Sequence, residues 1–113
     1  MTYATEAKVK ERCGIESADV EHDTEVANAM TYGDAFVGGR LGRYGLSADE
    51  SDQGLIEAAC DFATFYYLRN RGQREAAAEF KESAKELVDD YCWDKIAGVH
   101  RTGGPPYRPP HLE

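Results

Sequence analysis

All four prolines of the chain lie between Pro105 and Pro110, and none precedes them. Proline has no backbone N–H and fixes φ, so the stretch RTGGPPYRPP can neither continue a helix nor donate to the middle of a sheet. The residue before each proline is pushed towards extended backbone as well. The sequence therefore divides into a foldable body, residues 1–98, and an extended, polyproline-like arm, residues 99–113, behind the Gly103-Gly104 hinge. An arm of this kind is either idle or built to lie on something else.

The body reads as helices separated by glycine stops, without a strand signal of any strength. Thr5 offers a cap for a first helix over Glu6 to Cys13, which Gly14 ends at the position where left-handed backbone is wanted. Ile15 is expected to plug back onto the body. A second helix is expected to start near Ser17 or Asp19, its first turn acidic, with Val26, Met30, Val37 and Leu41 at helical spacing. Gly33, Gly38 and Gly39 inside it call for a closely packed neighbour or an early break. Ser47 and Glu50 have the form of a capping box for a third helix running to Asn70, with Ser51 or Asp52 as equal alternatives. Its apolar surface is wider than one stripe, which suits a central helix or one facing both a core and a partner. A fourth helix, about Arg74 to Trp93, places Phe80, Ala84, Leu87, Val88 and Tyr91 on one face. The short connection around Gly72 makes helices three and four an antiparallel hairpin. The expected fold is all-α, a small four-helix bundle with a long antiparallel hairpin and an extended C-terminal arm.

Charge narrows the function. Residues 1–98 hold 20 Asp and Glu against 11 Lys and Arg, a net charge of −9, whereas the arm carries +1. So acidic a body argues against a surface that wraps nucleic acid. With 42% hydrophobic residues the chain is too apolar for a disordered one. No run approaches the length of a membrane span, and the start lacks the apolar core of a signal peptide, so an intracellular, soluble protein is expected. Cys13, Cys60 and Cys92 form no metal-binding or redox spacing and read as small buried hydrophobes.

Three segments invite a chemical reading. The stretch from Asp49 to Gly54 resembles the start of a calcium loop, but Cys60 stands where the bidentate carboxylate belongs, and helix capping explains the same residues. Asp19 and His22 share a helical face at a spacing used in metal-binding bundles, yet no second such pair exists in the body. The glycine-rich run Gly38 to Gly45 lacks the strand and the Gly-Lys-Ser/Thr that a phosphate cradle needs; Arg40 and Arg43 in it could meet an acidic partner. No cofactor, metal site or catalytic residue is expected. The sharpest basic feature is Arg69, Arg71 and Arg74 at the hairpin tip. Cations favour the C-terminal end of helix three, but Arg74 opens the next helix on the unfavourable side. That mismatch leaves two readings open for the tip, a plain helix end and a contact for carboxylates or phosphates.

The order of features resembles a family. Tyr3, Thr5 and the Glu6–Lys10 turn lead to Cys13-Gly14-Ile15, an acidic start to a long helix follows, then LIEAACDFA and finally AAAEFKESA. Over most of residues 3–93 this pattern resembles the head–tail adaptor (connector) proteins of long-tailed viruses of bacteria and archaea. The excess of Arg (8) over Lys (5) in an acidic chain would suit a virus of a halophilic archaeon. The resemblance implies a structural role without catalysis, in the neck of a virion assembled in the host cytoplasm. Such adaptors form a dodecameric ring beneath the portal, extend the channel through which viral DNA passes and offer a docking surface to the next neck or tail protein. It further implies that the arm reaches onto the portal protein, with Arg101, Pro105, Pro106, Tyr107, Arg108, Pro109 and Pro110 as its contacts. Arg69, Arg71 and Arg74 would then mark contacts with neighbouring copies or with DNA in the channel.

Two other classes compete. One is an acidic helical interaction module that mimics nucleic acid and blocks a DNA-binding protein. The other is a metal-dependent helical enzyme, for which His22 would be needed.

Overall fold

The computed structural model describes residues 2–100, with side chains to Ile96. The described residues form four helices and no strand: α1 Glu6–Cys13, α2 Asp23–Arg43, α3 Gln53–Asn70 and α4 Arg74–His100. The protein is all-α, a small four-helix bundle.

Local chemistry accounts for most boundaries. Thr5 stands at the head of α1 in extended backbone (φ −115°, ψ 140°), although its hydroxyl makes no capping bond. Gly14 ends the helix at φ 75°, and the Ile15 amide returns to the Lys10 carbonyl at 2.8 Å. The head of α3 is capped by Asp52, whose carboxylate accepts from the Leu55 amide at 3.0 Å. Asp49, inside the expected Ser47–Glu50 box, instead accepts from the amide and the hydroxyl of Ser51, holding a turn before the helix.

Two boundaries differ from the sequence reading. Residues 16–22 form turns, so α2 begins at Asp23, not near Ser17 or Asp19. The reason lies in α1: the buried ammonium of Lys10 takes the carbonyls of Asp19 (2.8 Å) and Ser17 (3.5 Å), which a helix starting there would have used itself. At the other end α4 runs past Trp93 to His100, since neither glycine nor proline interrupts residues 73–97. Val99 and His100, expected to open the arm, thus belong to α4, and the rest of the arm with its expected contacts, Arg101, Pro105, Pro106, Tyr107, Arg108, Pro109 and Pro110, lies outside the described residues.

Helix α3 is the centre and touches the other three. Leu55, Ala58, Ala59, Cys60, Ala63 and Thr64 on it are almost fully buried. Val9 from α1, Val26, Val37 and Leu41 from α2, and Ala84, Val88 and Cys92 from α4 close around them. Each large aliphatic side chain buried this way contributes about 1.5–3 kcal/mol. Small residues let the backbones approach: a Cβ on Gly33 of α2 would lie 2.3 Å from the Ala59 carbonyl oxygen of α3. The helix continues through Gly38, Gly39 and Gly42 and ends at Arg43. The three cysteines are free thiols.

Polar ties fix the register. The amides of Tyr3 and Ala4 both donate to Asp34 at 2.8 Å, strapping the N-terminal segment onto α2. Arg12 reaches from α1 to Glu57 and Asp61 of α3, and Lys8 adds a second cation to Glu57. Ser83 of α4 donates to Asp61 at 2.7 Å, and Arg40 of α2 pairs with Asp89 of α4 at 2.6 Å. No helix among the described residues is long and apolar enough to cross a membrane.

Candidate functional site

Helical spacing puts Tyr32, Phe36 and Arg40 of α2 on one face at i, i+4 and i+8. On α3, Phe62, Phe65, Tyr66 and Arg69 share a face by the same rule. Because Gly33, Ala59 and Ala63 bring the two helices close, these faces merge into one aromatic seam. Tyr32 stacks on Tyr66 with ring centres 4.1 Å apart and planes inclined by 18°. Phe36 stacks on Phe62 at 4.2 Å and 8°, and Phe62 leans on Phe65 at 5.2 Å. Tyr32 is 49% exposed and the other four rings are half-buried, so the seam forms part of the surface.

Cations cover the seam. The Arg69 guanidinium lies 5.3 Å from the centres of both Phe65 and Tyr66. Lys81 of α4 sits 5.4 Å from the centre of Phe65, and Arg40 lies 5.5 Å from Phe36. Hydrogen bonds from Tyr32 and Asn70 hold the Tyr66 hydroxyl below the usual phenol range. A shallow depression of about 220 Å³ continues the seam along α2, lined by Phe36, Gly39, Arg40 and Arg43. The surface thus offers ring faces and positive charge together.

Beside it, a pocket of about 300 Å³ opens between α2 and α3, lined by Glu25, Asn28, Tyr66, Tyr67, Asn70 and Arg71. Arg71 spans it, 3.2 Å from the Glu25 carboxylate and 5.2 Å from the Tyr67 ring.

The three arginines at the hairpin tip therefore separate. Arg69 joins the aromatic seam, Arg71 ties α3 to α2 across the pocket, and Arg74 stands exposed at the head of α4. The structure brings Asp19 and His22 together with Glu21: their ligand atoms lie within 4.8 Å of one another. It places them in the turns before α2, not on a helical face. The cation of that neighbourhood is Lys10, which contacts the Asp19 carbonyl at 2.8 Å and the carboxylates of Asp23 (2.8 Å) and Glu6 (2.9 Å). Those partners, Asp23 first, raise its pKa above the ordinary lysine value. Lys10 thus meets Asp19 at its carbonyl, while the Asp19 carboxylate accepts from the Glu21 amide at 2.8 Å.

A second charged feature was not singled out from the sequence. Glu75, Glu79, Glu82, Glu86 and Asp90 are all exposed on α4. At 100° per residue they fall within an arc of about 80° and make a stripe about 22 Å long. The stripe points away from Ala77, Ala84 and Val88, the buried side of the same helix. Its signal was the i, i+4, i+7, i+11 spacing of acids.

The chain matches no family model, no curated protein and no solved structure.

Proposed function

We propose that this protein is a structural adaptor of a virion neck, which forms a ring of its own copies beneath a portal, extends the DNA channel and docks the next neck or tail protein. The observation that carries the reading is the aromatic seam: the helical body keeps five contacting rings, four of them stacked in pairs, at its surface under a cover of cations. Ring faces with guanidinium groups are the side chains that dominate binding at protein interfaces. The resemblance of residues 3–93 to head–tail adaptors supplies the identity of the partner, and the arm supplies the portal contacts at Arg101, Pro105, Pro106, Tyr107, Arg108, Pro109 and Pro110. Of the hairpin tip, Arg69 and Arg74 are the subunit or channel contacts, while Arg71 belongs to the internal tie with Glu25. The acidic body repels DNA and lets it slide through the channel.

The test is co-sedimentation with portal protein. The full chain travels with the portal, and a chain lacking residues 99–113 does not. Failure of the full chain to bind the portal removes the reading.

The acidic stripe of α4 favours a second reading, an acidic module that mimics nucleic acid and occupies the cationic groove of a DNA-binding protein. In that case the chain displaces DNA from such a protein, and neutralising Glu79 and Glu82 abolishes the displacement while deletion of the arm does not.

A further inference from the structure

We propose that the aromatic seam of one copy receives the acidic α4 stripe of a second copy, in a head-to-tail contact. This deepens the ring in the reading above and names the two surfaces that build it; it requires no portal.

Charge selects the occupant. Arg69 and Lys81 lie over the rings and make no ion pair with the described residues, and Arg43 and Arg74 extend the same positive border. The stripe presents five exposed carboxylates, of which Glu82 alone forms an ion pair among the described residues, with Lys85 at 3.8 Å. The lengths agree. The border runs from Arg69 to Arg43 over about 21 Å, counted along the packed helices, against about 22 Å for the stripe.

Geometry selects the symmetry. The stripe and Lys81 lie on different sides of α4, separated by about 140° around its axis. A copy that offers its seam therefore still has its stripe free for another. Two seams face to face would press Arg69 and Lys81 against their own kind, and two stripes would repel along their whole length. Neither patch is self-complementary, so a twofold dimer is disfavoured. A heterologous contact repeats from copy to copy, closing into a ring if the rotation allows and otherwise continuing as a filament. It also relieves the main obstacle to self-association in a chain of net charge −8, since each contact places carboxylates against cations.

The test places the photo-crosslinking residue p-benzoylphenylalanine at Tyr32 of an isotope-labelled full-length chain, mixed with unlabelled chain and irradiated over a concentration series. The expected intermolecular links fall on residues 75–90 of the unlabelled copy. Reversing the seam cations (Arg69→Glu with Lys81→Glu) or the stripe (Glu79→Lys with Glu82→Lys) lowers the yield by about tenfold. An equimolar mixture of the two variants restores it, because each then meets the opposite charge. All four positions are exposed, and circular dichroism verifies that both variants keep their helices. Links from seam to seam, links to residues 101–113, no intermolecular link up to millimolar concentration, or a mixture that stays unlinked would each overturn the proposal. The adaptor reading fails separately: full-length chains that cross-link as expected but ignore the portal retain this contact and lose that function.

Discussion

Gly33 of α2 rests directly on the carbonyl of Ala59 in α3: a Cβ there would come within 2.3 Å of that oxygen and 3.3 Å of the Ala63 methyl. Backbone against backbone leaves no side chain able to move aside. The two helices are held at this separation, and the ring pairs Tyr32–Tyr66 and Phe36–Phe62 on either side depend on it.

Gly33→Ala is accordingly expected to destabilise the fold by about 1–3 kcal/mol, the range for a methyl forced into a packed interface. Urea denaturation measures it. The variant should also separate the stacked rings, visible as a change in near-ultraviolet circular dichroism. An unchanged midpoint would show that α2 and α3 do not meet as described.

Gly39 provides the opposite case. A Cβ there meets nothing within 4 Å, and the residue sits inside α2. Gly39→Ala removes backbone freedom from the unfolded chain without a clash and should stabilise by up to about 1 kcal/mol. Thermal unfolding of the two alanine variants, run side by side, separates the packed glycine from the open one.

Glu57 makes the fold sensitive to acid. The Lys8 ammonium first, with Gln53 and Arg12 assisting, holds its carboxyl from the ordinary 4.5 down to about 2. A folded-state pKa below the unfolded value means that the unfolded chain binds the extra proton, so stability drops as pH falls. The contribution is complete above about pH 4.5 and is lost on the way to about pH 2. Glu57→Gln should flatten that part of the stability profile, measured by urea midpoints between those pH values.

How much of this was legible beforehand follows from how far each signal travels along the chain. The first helix could be read to the residue because Gly14 acts on its own neighbours, while Thr5 marks the other end by its extended backbone without the capping bond its hydroxyl offered. The head of α3 carried rival signals, and only the finished turn shows that Asp52 caps while Asp49 serves Ser51. The start of α2 was out of reach, since the carbonyls of Ser17 and Asp19 are claimed by Lys10 from another helix. The wide apolar surface of α3 was visible, whereas the seam was not. Tyr32 and Phe36 had to be carried next to Phe62 and Tyr66 by a packing that Gly33 permits.

Cys92 should behave as an inert thiol. Burial first, with the charge of Asp89 adding to it, pushes its pKa up to about 11, and the side chain is fully covered. Two units above the ordinary value leave about a hundredfold less thiolate at neutral pH. Labelling by a disulfide reagent is therefore expected to follow global unfolding, rising with urea in step with the loss of helix. Rapid labelling of Cys92 in the native protein would mean that α4 opens on its own.

Arg12 is the strongest single test of how α1 is fastened. Its guanidinium serves Glu57 and, at 2.9 Å, Asp61, whose side chain is 10% exposed and also accepts from Ser83. Removing one partner of a fully buried ion pair costs about 3–5 kcal/mol, because the remaining charge stays desolvated. Arg12 keeps 22% of its side-chain surface in water, and Lys8 still reaches Glu57, so Arg12→Met should cost less, about 2 kcal/mol. If the penalty comes from the stranded Asp61 charge, adding Asp61→Asn to Arg12→Met should recover part of it, while Asp61→Asn alone destabilises. Additive effects of the two substitutions would instead mean that Arg12 acts through Glu57 and that Asp61 belongs to Ser83.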